Sequence, residues 1–278
     1  MRKIYAVTCL SLIISLPSFS KDIEVGGASI RVVSPDGFVE VTEDANKELF
    51  DFFRNFVAPT NIEYAHFISG EDFDRLRVGD EAVFERRFAV QVVRKAQDLE
   101  LTTGKFEAMK ASGRRQLEKI AELEGKVNKI VGDQVENVES KYDIDMGFTG
   151  INMSALPVHL ETDRALAYSF RVISRMNDEA GNPLVDIGIG TTTLVELNGR
   201  AIVLYAWGGE ADLDWSRTAS RQWMEAMLAA NPSRQAAGWF YENWHPRVLN
   251  AIPPALFAMI IAVIVGWFAD RRRRKLSK

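Results

Sequence analysis

The sequence predicts an α+β domain with a mainly antiparallel sheet and flanking helices, followed by a single C-terminal transmembrane helix. Three observations predict it: period-two strand segments joined by hairpin chemistry, a stretch of helical periodicity over residues 103–142, and a charge-free run over residues 251–269. The 278 residues are 47% hydrophobic and 26% charged, a globular composition that excludes collagen-like structure and wholesale disorder.

Residues 1–20 read as a secretory leader. Arg2 and Lys3 precede an apolar run, and Pro17 leads to small residues at Ser18 and Ser20, so Lys21 begins the mature chain. The apolar run of about 13 residues is too short to cross ~30 Å of hydrocarbon. Cys9, the one cysteine, falls inside it, which leaves the mature chain no disulfide, thiol nucleophile or zinc–thiolate site.

Residues 28–33 and 38–41 flank the turn sequence Ser34-Pro35-Asp36-Gly37 and predict a β-hairpin. Thr42 or Asp44 then caps a helix with Leu49, Phe52, Phe53 and Phe56 on its apolar face, ending before Pro59. Strands follow at 61–69 and 88–93, with a short helix at 71–76 between them. Thr102 or Thr103 caps the long helix, in which Leu117, Ile120, Leu123, Val127, Val131, Val135, Val138 and Tyr142 recur every three or four residues. Unbroken it would extend ~60 Å, so it must bend near Gly113, Gly125 or Gly132, project, or pack on a partner. Strands at 156–160, 165–176, 184–197 and 200–207 follow, the last two joined by Asn198-Gly199, a tight-hairpin signal. Asp212 or Asp214 caps a final helix over 215–230, stopped by Asn231-Pro232, and 233–250 is a juxtamembrane connector.

Residues 251–269 would span ~28 Å as a helix, close to the hydrocarbon thickness of a bilayer. Arg271, Arg272, Arg273, Arg274 and Lys275 follow within the tail 270–278 and mark its cytoplasmic side, while Trp239, Phe240, Tyr241 and Trp244 before the run, and Trp267 and Phe268 at its close, suit the two interfaces. The expectation is a bacterial inner-membrane protein that crosses the bilayer once through 251–269 and holds its large N-terminal domain in the periplasm. Residues 21–250 carry 26 basic and 37 acidic side chains, about −11, a balance that repels nucleic acid and anionic head groups.

The strand pair around Pro35-Asp36-Gly37-Phe38 within 28–42, and the closing unit over 194–231 of strand, Asn-Gly turn, strand and Trp-containing helix, resemble the PsbP-type α/β/α sandwich. They also resemble exported, membrane-anchored bacterial proteins of the same layout. The resemblance covers about half of the exported domain and rests on layout, and the stretch 103–142 departs from it. It implies a binding or assembly module without a shared catalytic set, and no site residues carry over.

His66, His159 and His245 lack ligand spacing, so no metal is expected. Gly188-Ile189-Gly190-Thr191 lacks the lysine of a phosphate loop and reads as a strand, so no cofactor is expected. The most site-like cluster is Asp212, Asp214, Arg217 and Arg221, in which the arginines, four residues apart, share one helix face suited to an anion or a partner. These features favour a membrane-tethered periplasmic binding or accessory module acting on a protein partner, immunity to an exported toxin being one form of it. The alternatives are a membrane-anchored periplasmic enzyme whose site has no linear motif, and a structural coupler that self-associates through the long helix.

Overall fold

The computed structural model describes residues 20–55, 57–80, 82–119, 124–143, 145, 147–178 and 180–232. Residues 1–19 of the predicted leader, the connector, the transmembrane run and the basic tail, including every interface residue from Trp239 to Lys275, lie outside them, while Ser20, the last leader residue, opens the first strand opposite Val33. Among the described residues no helix is long and apolar enough to cross a membrane.

The chain order is β1 (Ser20–Val25), β2 (Ala28–Val33), β3 (Phe38–Glu40), α1 (Lys47–Asn55), β4 (Asn61–Ser69), α2 (Gly70–Arg77), β5 (Arg87–Val93), α3 (Thr103–Glu118), α4 (Glu124–Tyr142), β6 (Phe148–Ala155), β7 (Leu160–Thr162), β8 (Ala165–Asn177), β9 (Pro183–Leu197), β10 (Arg200–Gly209) and α5 (Leu213–Ala230). Eight strands form one sheet in the order β3-β4-β5-β10-β9-β8-β6, with β7 also on β8, and every pairing is antiparallel. β1 and β2 form a separate hairpin.

Alternation along β10 sets the layers. Val203, Tyr205 and Trp207 enter one core with Phe53 of α1, Phe106 and Met109 of α3, and Val131, Val135 and Val138 of α4. Ile202, Leu204 and Ala206 enter the other, with Ile23, Val25, Ile30 and Val32 of the hairpin and Trp223, Met224 and Met227 of α5. The sheet therefore has an α3–α4 face and an α5 face, each an apolar core of its own.

Several expectations are corrected. β2 does not pair with β3: it pairs with β1 from Ser20↔Val33 to Val25↔Ala28, and β3 joins β4 in the central sheet. The turn at Pro35 does form, with Phe38 N–H on the Pro35 carbonyl at 3.1 Å, but it carries the chain between layers. The missed signal is Gly26-Gly27, whose φ values of 53° and 76° fit the primed turn that a two-residue hairpin requires. The strand expected at 156–160 is replaced by β6 and β7, because Pro157 has no N–H to give the ladder; Leu156 and His159 still donate to Ser169 and Ala167 of β8 on either side of it.

The single helix expected over 103–142 is two helices, α3 ending at Glu118 and α4 starting at Glu124. Phe106 and Met109 of α3 and Val131, Val135 and Val138 of α4 pack into the core against the sheet, so these valines are buried rather than offered to a partner. Thr102 does cap α3, accepting Lys105 N–H at 3.3 Å, whereas α1 is capped by Asn46, which accepts Leu49 N–H at 2.9 Å, and not by Thr42 or Asp44.

Candidate functional site

The α5 face holds the four residues singled out in the sequence and separates them. Asp212 stands at the N-cap of α5, yet its carboxylate does not cap the helix. Oδ2 accepts Gly209 N–H at 3.0 Å, and the two oxygens take Arg86 Nη2 at 2.6 Å and Nε at 3.3 Å. Arg86 also lies over the Trp215 ring, 4.6 Å from its centroid, and its bond to Asp212 raises its pKa. Gly208 makes room for this arrangement, since a Cβ there would sit 2.5 Å from Asp212 Cβ. Asp214 is exposed in the first turn of α5, where a negative charge meets the helix amides favourably.

Deeper under α5 runs a chain of hydroxyls. Ser216 Oγ donates to the Leu213 carbonyl at 3.0 Å, so Thr191 must donate to Ser216 at 3.0 Å and Ser169 to Thr191 at 2.9 Å. Ser169 then accepts Arg217 Nε–H at 3.2 Å. Thr193 and Ser220 form a parallel pair at 2.7 Å. These small side chains are fully buried, so the hydroxyls reach one another across the helix–sheet seam only because neither layer offers bulk there.

Arg221, exposed four residues after Arg217, shares His159 with it. Burial, and then the positive charges of Arg217 and Arg221, push the His159 pKa down to about 4, so this imidazole is neutral at pH 7. Asp212 and Arg217 thus serve different partners, and the four predicted residues do not converge on one point.

A second polar cluster, which the sequence did not reveal, is buried on the α3–α4 face. Asn61 donates to Gln91 at 2.8 Å and Gln91 to Glu63 at 2.9 Å, while His66 Nδ1 lies 3.5 Å from Glu63. The His66 ring is stacked between Phe53, centroids 3.9 Å apart, and Trp207 at 6.0 Å. A β-bulge between Glu63 and Ala65 re-aims β4 here and hides the cluster from period-two reading. Arg87, buried on the same face, has its pKa lowered to about 10 by desolvation, against the pull of Asp72, Asp186 and Glu63.

His66 and His159 therefore lie on opposite faces of the sheet; Ser169 is held by Arg217, and Ser69, which donates to Asp72 Oδ2 at 2.7 Å, caps α2 by accepting Asp72 N–H. Among the described residues no three His, Asp or Glu side chains are grouped to hold a metal ion. The arrangement orients and joins layers through hydrogen bonds.

No protein-family model matches the sequence, and no curated protein matches it. Among solved structures, the chain is similar to the Ran-binding protein Mog1p of Saccharomyces cerevisiae at 16% identity over 77% of this chain and 94% of that one, with a TM-score of 0.30. A point mutant of protein Mog1 gives 17% identity, 76% and 94% coverage and the same TM-score of 0.30. The superposition is too loose to assign a fold or a function.

Proposed function

We propose that the chain is a single-pass, membrane-tethered periplasmic module that binds a protein partner through its α+β domain, with immunity to an exported toxin as one specific form. The observation that carries the reading is the charge-free run 251–269 followed at once by cations from Arg271 to Lys275, beyond a domain that closes at Asn231. It is supported by the most site-like polar side chains of the α5 face being engaged in joints between layers, Asp212 with Arg86 and Arg217 with Ser169. The opposed placement of His66 and His159 weakens the enzyme alternative, and the burial of Val131, Val135 and Val138 weakens the self-associating coupler.

A reporter fused after Lys278 tests the topology. A cytoplasm-restricted reporter should be active and the protein should fractionate with membranes. Activity outside the cytosol, or recovery of the intact chain in the soluble fraction, sinks the reading.

A further inference from the structure

The two ends of the central strands differ in charge, in exposed apolar side chains and in closure. At one end the connections 94–102, 163–164 and 198–199 carry three acidic and three basic side chains. At the other, the connections 70–86, 178–182 and 210–212 carry eight described acidic side chains, Asp80, Glu85 and Asp178 among them, against Arg75, Arg77 and Arg86. Val78, Val83 and Val185, the large hydrophobic side chains exposed among the described residues at 69%, 36% and 61%, all lie at this acidic end.

The same end leaves a strand edge open. Leu197 and Arg200 flank the two-residue Asn198-Gly199 turn, so the odd-numbered residues of β9 exchange backbone bonds with β10 and the even-numbered ones with β8. Glu196 N–H, donating to the Arg164 carbonyl at the start of β8, agrees with this parity. β10 ends its pairing at Gly209↔Gly188, while β9 runs on beside β8 to Pro183. The N–H and C=O groups of Val185 and Ile187 therefore point to where β10 would continue, and among the described residues nothing pairs with them. An unpaired edge beside an exposed valine is a template for strand addition.

We propose that the open edge at Val185 and Ile187 docks an extended, basic segment of a protein partner as an added strand. The inference rests on the binding-module reading above and names the surface and chemistry through which that module works. Basic character follows from the excess of acids at this end, which Arg175, opposite Val185 on β8, and Arg171, paired with Glu210, reduce but do not reverse. A second copy is disfavoured because edge-to-edge pairing would bring two acidic ends together, and Pro183 would withhold a donor from each strand. The chain's own C-terminal segment leaves from the opposite end, where the Asn231 carbonyl accepts Arg164 at 3.0 Å.

The test uses the full chain in lipid nanodiscs, with eight-residue peptides of alternating Lys-Val or Glu-Val as probes. The Lys-Val peptide should slow amide hydrogen exchange at Val185 and Ile187 at least tenfold, the Glu-Val peptide should not, and Val185→Pro should abolish the slowing with circular dichroism unchanged. No slowing at millimolar peptide, equal slowing by both peptides, or protection at Asp22 and Glu24 of β1 instead, overturns the proposal. In cells, a photo-crosslinker at Val185 should give a partner adduct that Ile187→Pro removes and whose attachment point maps to an extended Lys- or Arg-rich segment. Adducts from a crosslinker at Ser29 alone refute this edge but leave the binding module standing; adducts from neither position refute both; a self-adduct at Val185 gives the edge to a second copy and overturns the proposal.

Discussion

Large rings meet on both faces of the sheet: Phe53 on His66, Tyr205 on Trp207 and Tyr168 edge-on to Phe170 on the α3–α4 face, and Phe38, Phe67 and Phe88 against Trp215 and Trp223 on the α5 face. The α5 face adds directional bonds to its rings, with the hydroxyl chain under α5 and a set of side chains that close the outer edge of β2. Asn231 accepts Arg31 N–H and donates to Arg31 C=O, both at 2.8 Å, in the manner of a neighbouring strand. Trp223 donates to the Val33 carbonyl at 2.7 Å and Asn198 to that of Ser29 at 2.8 Å. Packing of rings fixes how much volume a layer fills, whereas these bonds fix which residue sits opposite which, so the hairpin's register on the domain is set mainly by side-chain chemistry.

The largest effect should come from Trp207→Ala, which removes the ring shared by Tyr205, His66 and Arg87 and should cost about 3–5 kcal/mol in urea unfolding of the full chain. Asn231→Ala should follow at about 2–3 kcal/mol, because it removes a buried amide that satisfies the Met227 carbonyl and two half-buried backbone groups of Arg31. Its signature should be local, with faster amide exchange at Arg31 and no change on the α3–α4 face. If Asn231→Ala cost more than Trp207→Ala, or loosened both faces alike, the contrast between them would be wrong.

The Thr193–Ser220 pair sharpens the point. Ser220→Ala alone should destabilise by about 1–2 kcal/mol, while Thr193→Val with Ser220→Ala should recover most of the loss, since no polar atom is then left unpaired. An additive double mutant would mean that the bond itself, rather than the cost of an orphaned hydroxyl, holds the seam.

The smallest effect is a pH dependence. His159 has a folded pKa near 4, below the ordinary value of 6.5, so the unfolded chain binds the extra proton first and stability falls as pH drops from above 6.5 towards 4. His159→Gln should flatten the unfolding free energy over that window. An unchanged slope would show that neither burial nor the charges of Arg217 and Arg221 hold this imidazole's pKa down.

Much of the sheet was legible from the sequence. β4 begins and ends where alternation placed it, and β8, β9 and β10 match within a residue or two because Asn198-Gly199 fixes their turn. The β1–β2 hairpin was not, since six residues beside a presumed leader offered little pattern beyond Gly26-Gly27. The site was less legible still. Arg86 and Asp212 meet across 126 positions, and Asn231 acts through a side-chain amide on a backbone 200 positions away. Such bonds follow from tertiary placement, and neither hydrophobic periodicity nor local spacing encodes them.

The joint at Asn231 also bears on mechanics. Any tension on the chain beyond Pro232 enters the domain there, where the side chain grips both backbone groups of Arg31 and the carbonyl is held by Arg164, itself bonded to Glu196 at 2.8 Å. A pull would thus be shared between the outer hairpin and the β8–β9 strands before α5 could begin to unravel, making this one asparagine a strain-relief point for the whole domain.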